Sequence, residues 1–342
     1  MGLRRFDERL SRRYWYSTMQ SGPLVIACGS DDNYARPLAV TLYSALRNLK
    51  ASGRPVDLYV FDGGISTESK NRLHRVVEGA SDGSVHLEWV DPDTSALGNL
   101  PTREGVSTGA YLRLLIPEHV PADTDRVIYL DSDLLVKADL TRLWDKSMDG
   151  RMLMAVQAYN IPYVSSERGI RKYEELGLAP DTPYFNSGVL MLDVDRWQQE
   201  NVSERVCRYM RTYREHVNMC DQEGLNAVLA GNWKPLDPRW NVMALPKYFE
   251  NLTSSAHKES VCSTHDNGLI KPFIWHFAGP HSKPWMVECR HPAQFEWMRC
   301  LRESGWYRPV EGAQRLGHWY VRYAWRRIAG AVESRMIGTN KT

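Results

Sequence analysis

The sequence predicts an α/β protein: a doubly wound, mixed but mostly parallel sheet flanked by helices and folded as a single compact unit. Three observations predict it. Short apolar runs alternate with helical stripes through the first half of the chain, the pattern of repeated βαβ units. The runs end in polar or glycine-rich turns, where such sheets place their ligands. No repeat, low-complexity stretch or flexible linker divides the 342 residues, of which 43% are hydrophobic and 25% charged. That balance fills a core and excludes a disordered chain.

In chain order, Pro23–Cys28 is a strand ending in Gly29-Ser30-Asp31-Asp32. Arg36–Leu49 is a helix, because Leu38, Leu42, Ala45, Leu46 and Leu49 share one stripe. Val56–Phe61 is a second strand with Asp62-Gly63-Gly64 as its turn. Ser66–Val77 is a helix carrying Thr67 and Glu68 in its first turn, and Val85–Val90 is a third strand. Thr108–Ile116 reads as helical, and Arg126–Leu130 as a fourth, strongly apolar strand. Beyond it the pattern is mixed. Met152–Val156 and Gly188–Leu192 read as strands, Asp195–Thr212 and Asp221–Ala230 as helices, and Trp233–Phe249 as irregular.

The net charge of +2 excludes a general attraction to nucleic acid. The six cysteines form no C-x-x-C pair, so neither a zinc ribbon nor a redox dithiol is indicated, and the scatter fits a reduced compartment. The first twenty residues carry Arg4, Arg5, Arg12 and Arg13 but no signal-peptide core. No window has the apolar length of a membrane span. A cytoplasmic chain is expected, in which the sequons at Asn201 and Asn251 are chance matches. From Arg308 onward seven basic residues face only Glu311 and Glu333, with Trp319, Tyr320, Tyr323, Ala324 and Ile328 near one helical side. That pattern suits peripheral contact with an anionic membrane surface, or a helix packed on the core or on a partner.

Several D-x-D triplets occur. Asp91-Pro92-Asp93 lies in a Pro- and Ser-rich loop and reads as a turn. Asp193-Val194-Asp195 precedes a helical run and reads as its N-cap. Asp131-Ser132-Asp133 differs, being wedged between Val127–Leu130 and the apolar Leu134-Leu135-Val136. Two carboxylates there are costly unless a cation or hydrogen bonds balance them. Residues i and i+2 at a strand end can share one hard cation such as Mg²⁺ or Mn²⁺. His276 ends another apolar run, Phe273–Trp275, and is followed by Gly279 and Lys283, the latter a point charge suited to phosphate. In Tyr184–Leu190 two polar residues and a glycine interrupt an apolar strand, which reads as a β-bulge or a ligand contact.

Taken together, G-S-D-D-N-Y at 29–34, Y-L-R at 111–113, Y-L-D-S-D at 129–133, F-N-S-G-V at 185–189, D-Q-E at 221–223 and H-F-A-G…K-P-W at 276–285 resemble the family 8 glycosyltransferases. That family includes bacterial lipopolysaccharide galactosyl- and glucosyltransferases and, more distantly, glycogenin. The resemblance covers roughly residues 23–300. It implies a GT-A fold, a UDP-hexose donor (glucose or galactose), Mn²⁺ or Mg²⁺, a saccharide or other hydroxyl acceptor, and retention of anomeric configuration. A lipid-linked saccharide is one such acceptor, reached at the inner membrane face.

By position, Asp131, Asp133 and His276 resemble the metal ligands. Gly29, Asp31, Asn33 and Tyr34 match the segment holding uracil and ribose, with Tyr34 stacking on the base and Asp31 accepting its imide hydrogen. Arg113 matches the arginine reaching the donor sugar and phosphates, and Ser132 belongs to the same nucleotide-binding triplet. Asn186 and Ser187 match the strand contacting the hexose, Asp221 the carboxylate on its hydroxyls, Gln222 the amide beside the anomeric carbon, and Gly279 with Lys283 the diphosphate clamp. The spacing from His276 to Lys283 is one residue longer than the family's, so either the loop bulges or His281 partly replaces the lysine. The acceptor-side aspartate of the family is replaced by Gln157-Ala158.

The domain reading is a basic extension over 1–22, a glycosyltransferase domain over 23–304 with halves 23–150 and 151–304, and a basic aromatic extension over 305–342. Two rivals stand beside it. A haloacid-dehalogenase-type phosphatase needs Thr or Val where Leu135 stands, and needs its motif early in the domain. A non-catalytic nucleotide-sugar-binding protein of the same fold would keep the pocket without turnover.

Overall fold

In this computed structural model the described residues are 22–49, 54–98, 100–102, 108–243, 271–279, 282–286, 289 and 291–307. The expectations for residues 1–21 and 308–342, and for Asn251, Cys262 and His281, fall outside them.

Seven strands form the central sheet in the order β3-β2-β1-β4-β7-β6-β8. β1 (Leu24–Ser30) pairs in parallel with β2 (Val56–Asp62) on one side and β4 (Arg126–Leu130) on the other. β2 pairs in parallel with β3 (Val85–Val90). Every residue of β1 is buried, as are the last four of β4. Continuous apolar runs are what a parallel sheet covered on both faces requires. Each such side chain contributes about 1.5–3 kcal/mol on burial.

Helices α1 (Ala35–Asn48) and α2 (Thr67–Ala80) are the crossovers from β1 to β2 and from β2 to β3. Asp31 caps the short 3₁₀ turn Asp32–Tyr34 ahead of α1 by accepting from Tyr34 N at 3.0 Å, and Ser66 caps α2 by accepting from Ser69 N. After β3 the chain crosses to the other side of β1. The strand order therefore reverses between β1 and β4, which marks the carboxyl ends of those two strands as the ligand crevice.

The second half corrects several expectations. Thr108–Leu115 is a 3₁₀ helix, followed by the single turn α3 (Ile116–His119). Leu134–Val136 is a strand, β5, where the sequence pattern showed only an apolar run. It joins β10 (Ile274–His276) and β9 (Val242–Met243) in a small second sheet of order β5-β10-β9. Its other edge is satisfied by α1. Thr41 Oγ1 accepts from Leu134 N at 3.0 Å, Ser44 Oγ accepts from Val136 N at 3.0 Å, and Asn48 Nδ2 donates to Val136 O.

After the single turn α4 (Thr141–Trp144), β6 is Leu153–Gln157. β7 extends from Phe185 to Asp193 and runs antiparallel to both β4 and β6. The helix expected over 195–212 is two, α5 (Val194–Gln199) and α6 (Val202–Thr212), broken where Asn201 takes φ +50°. Asp193 caps α5 by accepting from Arg196 N, as its D-x-D reading predicted, and Asp93 holds a turn by accepting from Ser95 N. α7 spans Cys220–Val228. The stretch after it holds β8 (Trp233–Pro235), a 3₁₀ turn at Pro238–Trp240, and β9 before the described residues stop at 243. α8 is Gln294–Glu303. Among the described residues no helix is long and apolar enough to cross a membrane, and no disulfide joins the five described cysteines.

Candidate active site

Three segments converge on the crevice between β1 and β4. The Ser132 hydroxyl donates to Gly29 O at 2.8 Å, tying the turn after β4 to the end of β1. A side chain at Gly29 would press on Leu112 Cβ at 3.1 Å and Gly109 O at 3.2 Å, so glycine lets the 3₁₀ segment pack close. β7 stays paired with β4 up to Leu130↔Val189 but leaves β6, whose register jumps from Ala155↔Leu190 to Val156↔Asn186. Asn186–Gly188 thus forms the anticipated bulge, beside the crevice.

Pairing of β5 with β10 delivers the imidazole. Phe277 N donates to Asp133 O at 3.0 Å, which sets His276 beside Asp133. His276 Nε2 lies 3.4 Å from Asp133 Oδ1 and 3.7 Å from Asp131 Oδ2. One ligand atom from each of the three residues lies within 4.8 Å of the others. Ligands of an octahedral cation with bonds near 2.1 Å stand about 3.0 Å apart when adjacent and about 4.2 Å apart when opposed. The two imidazole–carboxylate separations fall in that interval. Two carboxylate oxygens and one imidazole nitrogen suit a divalent cation such as Mn²⁺ or Mg²⁺.

Gly188 is part of this arrangement. A Cβ there would sit 2.3 Å from His276 Cε1 and 2.8 Å from Asp131 Oδ2. The site is also strongly polarised. Arg113, 5% exposed, ion-pairs with Asp131 Oδ1 at 3.0 Å and Asp221 Oδ2 at 2.9 Å, and its guanidinium lies over the Tyr129 ring. Burial works against its charge, but Asp131 and Asp221 hold it firmly protonated. The Tyr129 hydroxyl donates to Asp131 Oδ1 at 2.7 Å.

Lys283 ion-pairs with Asp133 Oδ2, and its ammonium lies 5.4 Å from the centroids of both Tyr34 and Trp285. Burial alone would raise the Asp133 carboxyl, yet Lys283 and His276 hold it far below the usual carboxylate range. The reach of Lys283 answers the spacing question: the lysine meets the site despite the extra residue. Gly279 takes φ +90° and the Ser282 hydroxyl donates to Gly279 O, closing the longer loop locally.

Asp221 and Gln222 stand in the first turn of α7. Burial pushes the Asp221 carboxyl up to about 6, opposed by Arg113 and reinforced by Asp131. Although Arg113 is near, its Nε–H is directed at Ala110 O, and Asp221 Oδ2 accepts no hydrogen bond. Gln222 Oε1 accepts from Asn186 Nδ2 at 2.9 Å and Ser187 N at 3.2 Å. Asn226, one helical turn along, holds Phe185 by both N–H and C=O.

Asp131, Asp133, His276, Arg113, Asp221, Gln222, Asn186, Ser187, Tyr34 and Lys283 are linked by the contacts above, but the environments of the expected residues differ. Ser132 faces the sheet rather than the opening, Asn33 is exposed on the 3₁₀ turn, and Tyr34 meets Trp285 edge-on at 5.9 Å. Gln157, standing where an acceptor-side acid was expected, donates to Pro162 O at 2.7 Å. Sequence reasoning missed Asn241, whose side chain bonds both Asn186 and His276. Its context lay in the stretch read as irregular. It also gave no individual role to Gly188, Tyr129 or Trp285.

A doubly wound sheet with an acidic pair at its switch point and an imidazole facing it defines the GT-A class of glycosyltransferase. The profile of glycosyl transferase family 8 matches residues 25–289, and the chain belongs to that family. It is 29% identical to "General stress protein A" of Bacillus subtilis over 82% of this chain and 94% of that protein. It is 24% identical to the lipopolysaccharide 1,3-galactosyltransferase of Salmonella typhimurium over 82% of this chain and 78% of that one. Among solved structures, the galactosyltransferase LgtC with donor and acceptor sugar analogs superimposes with a TM-score of 0.67 at 25% identity, covering 81% of this chain and 95% of that one.

Proposed function

We propose that the protein is a metal-dependent, retaining hexosyltransferase that moves glucose or galactose from a UDP-sugar to a hydroxyl acceptor. The observation that carries this reading is the convergence of Asp131, Asp133 and His276 on one point at the switch-point crevice. When bound there by these three residues, Mn²⁺ or Mg²⁺ supplies Lewis-acid neutralisation of the diphosphate.

The chain's own groups supply the rest. Tyr34 offers its ring to the uracil, and Asp31, one of whose oxygens caps Tyr34 N, offers the other to the imide. Lys283 opposes the charge that builds on the leaving phosphate. Arg113 holds Asp131 and Asp221 in place from below. Asp221, ion-paired through Oδ2 with Arg113, is the carboxylate that serves the hexose hydroxyls. Once ionised, Asp221 also stabilises positive charge at the anomeric carbon. The Gln222 carbonyl oxygen is already held by two donors, so it acts better as a fixed dipole than as a nucleophile. That favours same-face attack through a short-lived ion pair, in which the departing phosphate oxygen takes the acceptor's proton.

The purified protein should hydrolyse UDP-glucose or UDP-galactose slowly in the presence of Mn²⁺ and stop when the metal is chelated. At saturating metal the rate should fall as pH drops through about 6, because protonation removes the Asp221 charge. No hydrolysis of any UDP-hexose would leave the non-catalytic sugar-binding reading.

An acceptor that is a lipid-linked saccharide at the cytoplasmic membrane face fits the basic aromatic segment after residue 304. Phe295 of α8, 82% exposed, adds an apolar side chain close to it in sequence. Binding to anionic liposomes should be lost when the chain is cut after Ser304. Equal co-sedimentation of the cut and full chains would remove this part of the reading.

A further inference from the structure

A chain of four side chains runs through the floor of the crevice, and the orientation of every one follows from two backbone N–H groups. Gly188 N donates to Asn186 Oδ1 at 3.0 Å. A backbone N–H can only donate, so this oxygen is identified and the Asn186 amino group must face the other way. It does, donating to Gln222 Oε1, whose own identity is set by Ser187 N. Asn241 Nδ2 then donates to the same Asn186 Oδ1 at 2.7 Å. That leaves Asn241 Oδ1 as the atom 2.8 Å from His276 Nδ1. An oxygen acceptor requires a proton on Nδ1. In the neutral ring Nε2 is then the nitrogen without a proton, and it faces Asp131 and Asp133.

We propose that Asn241 is a positioning residue that locks His276 in the Nδ1–H tautomer and, through Asn186, couples the cation site to the hexose pocket around Gln222. A metal-binding imidazole is oriented by what its other nitrogen bonds, and such partners tune affinity strongly. Asn241 is suited to this because an amide carries a donor and an acceptor on one rigid plane. Serine or alanine would serve one neighbour or neither. It is 2% exposed, so water does not substitute for it. The 3₁₀ turn Pro238–Trp240, capped by Asp237 through Arg239 N at 2.9 Å, ends directly on it and precedes β9. The backbone of Asn241 is thereby held between two fixed elements.

The inference rests on the metal-dependent reading for its functional consequence, but the tautomer is measurable without it. In the full-length protein labelled with ¹⁵N-histidine, free of metal and at a pH where the ring is neutral, long-range ¹H–¹⁵N spectra should show His276 as the Nδ1–H form. Asn241→Ala should release it to a tautomer mixture and weaken Mn²⁺ binding, followed by the electron paramagnetic resonance signal of the free ion, by about 10- to 100-fold. Asn241→Asp keeps the acceptor for Nδ1–H while losing the donor to Asn186. It should bind Mn²⁺ at least as tightly as the parent, yet hydrolyse UDP-hexose about tenfold or more slowly at saturating metal. That split separates a positioning role from general loss of structure, and Asn241→Asp decides the matter if the alanine variant does not fold.

An Nε2–H tautomer in the parent, or unchanged Mn²⁺ affinity in a folded Asn241→Ala, would overturn the proposal. A parent that binds no Mn²⁺ would instead sink the metal-dependent reading, while the spectra still decide what Asn241 does to the ring.

Discussion

Replacing Asp133 with alanine is expected to abolish Mn²⁺-dependent UDP binding and to lower UDP-hexose turnover by at least about a thousandfold. The residue is 7% exposed and is the meeting point of the site: His276 Nε2 lies 3.4 Å from one oxygen and Lys283 is paired with the other. Its loss removes one of three ligand atoms. It also leaves the Lys283 ammonium buried beside the cation it must share the diphosphate with, turning an attraction into a repulsion. Several kcal/mol of leaving-group stabilisation is at stake, and each 1.4 kcal/mol is a factor of ten in rate. Asp133→Asn keeps the volume and a weak oxygen donor, so it should retain the fold by circular dichroism and lose binding to nearly the same extent. Titration calorimetry of UDP with and without Mn²⁺ reads the effect. Parent-like metal-dependent binding in either folded variant would end the metal assignment.

The second large effect concerns a residue with no side chain. Gly188→Ala should cost at least about a hundredfold in Mn²⁺ affinity and in turnover while leaving most of the fold intact. The new methyl would arrive 2.3 Å from His276 Cε1 and 2.8 Å from both His276 Nδ1 and Asp131 Oδ2. Neither neighbour can yield cheaply. The ring is held from behind by Asn241, and Asp131 is held by Tyr129 and Arg113. Overpacking of this kind costs about 1–3 kcal/mol of stability, and displacement of the imidazole would break a ligand geometry that tolerates little. Comparing Mn²⁺ binding and thermal midpoint in the same samples checks it. Unaltered affinity would mean that the imidazole is not where the cation binds.

These two residues also show where sequence reasoning reaches and where it stops. Asp133 was legible because two acids between apolar runs demand an explanation that is visible locally. β1 and β4 were legible for the same reason, since a parallel strand buried on both faces announces itself as an unbroken apolar run. The direction of β7 was not legible, because alternation and hydrophobicity are the same read forwards or backwards. β5 was missed because three residues carry no periodicity, and its hydrogen bonds come from Thr41, Ser44 and β10, all distant in sequence.

The break at Asn201 was hidden because its helical neighbours continue a 3.6-residue pattern across a residue at φ +50°. Asn241 lies 55 residues from Asn186 and 35 from His276. Its Pro-containing surroundings read as irregular, which says nothing about what the side chain meets. Motif resemblance found the groups that touch ligands and passed over the groups that hold them.

The central claim is that Asp131, Asp133 and His276 bind one divalent cation at the crevice between β1 and β4. A crystal of the full-length protein grown with Mn²⁺ and UDP, measured at the manganese absorption edge, tests it most directly. The account predicts a single strong anomalous peak roughly 2.0–2.3 Å from an oxygen of each aspartate and from His276 Nε2, on the side facing Lys283. UDP bound with no peak there, or a peak coordinated without His276, would contradict it.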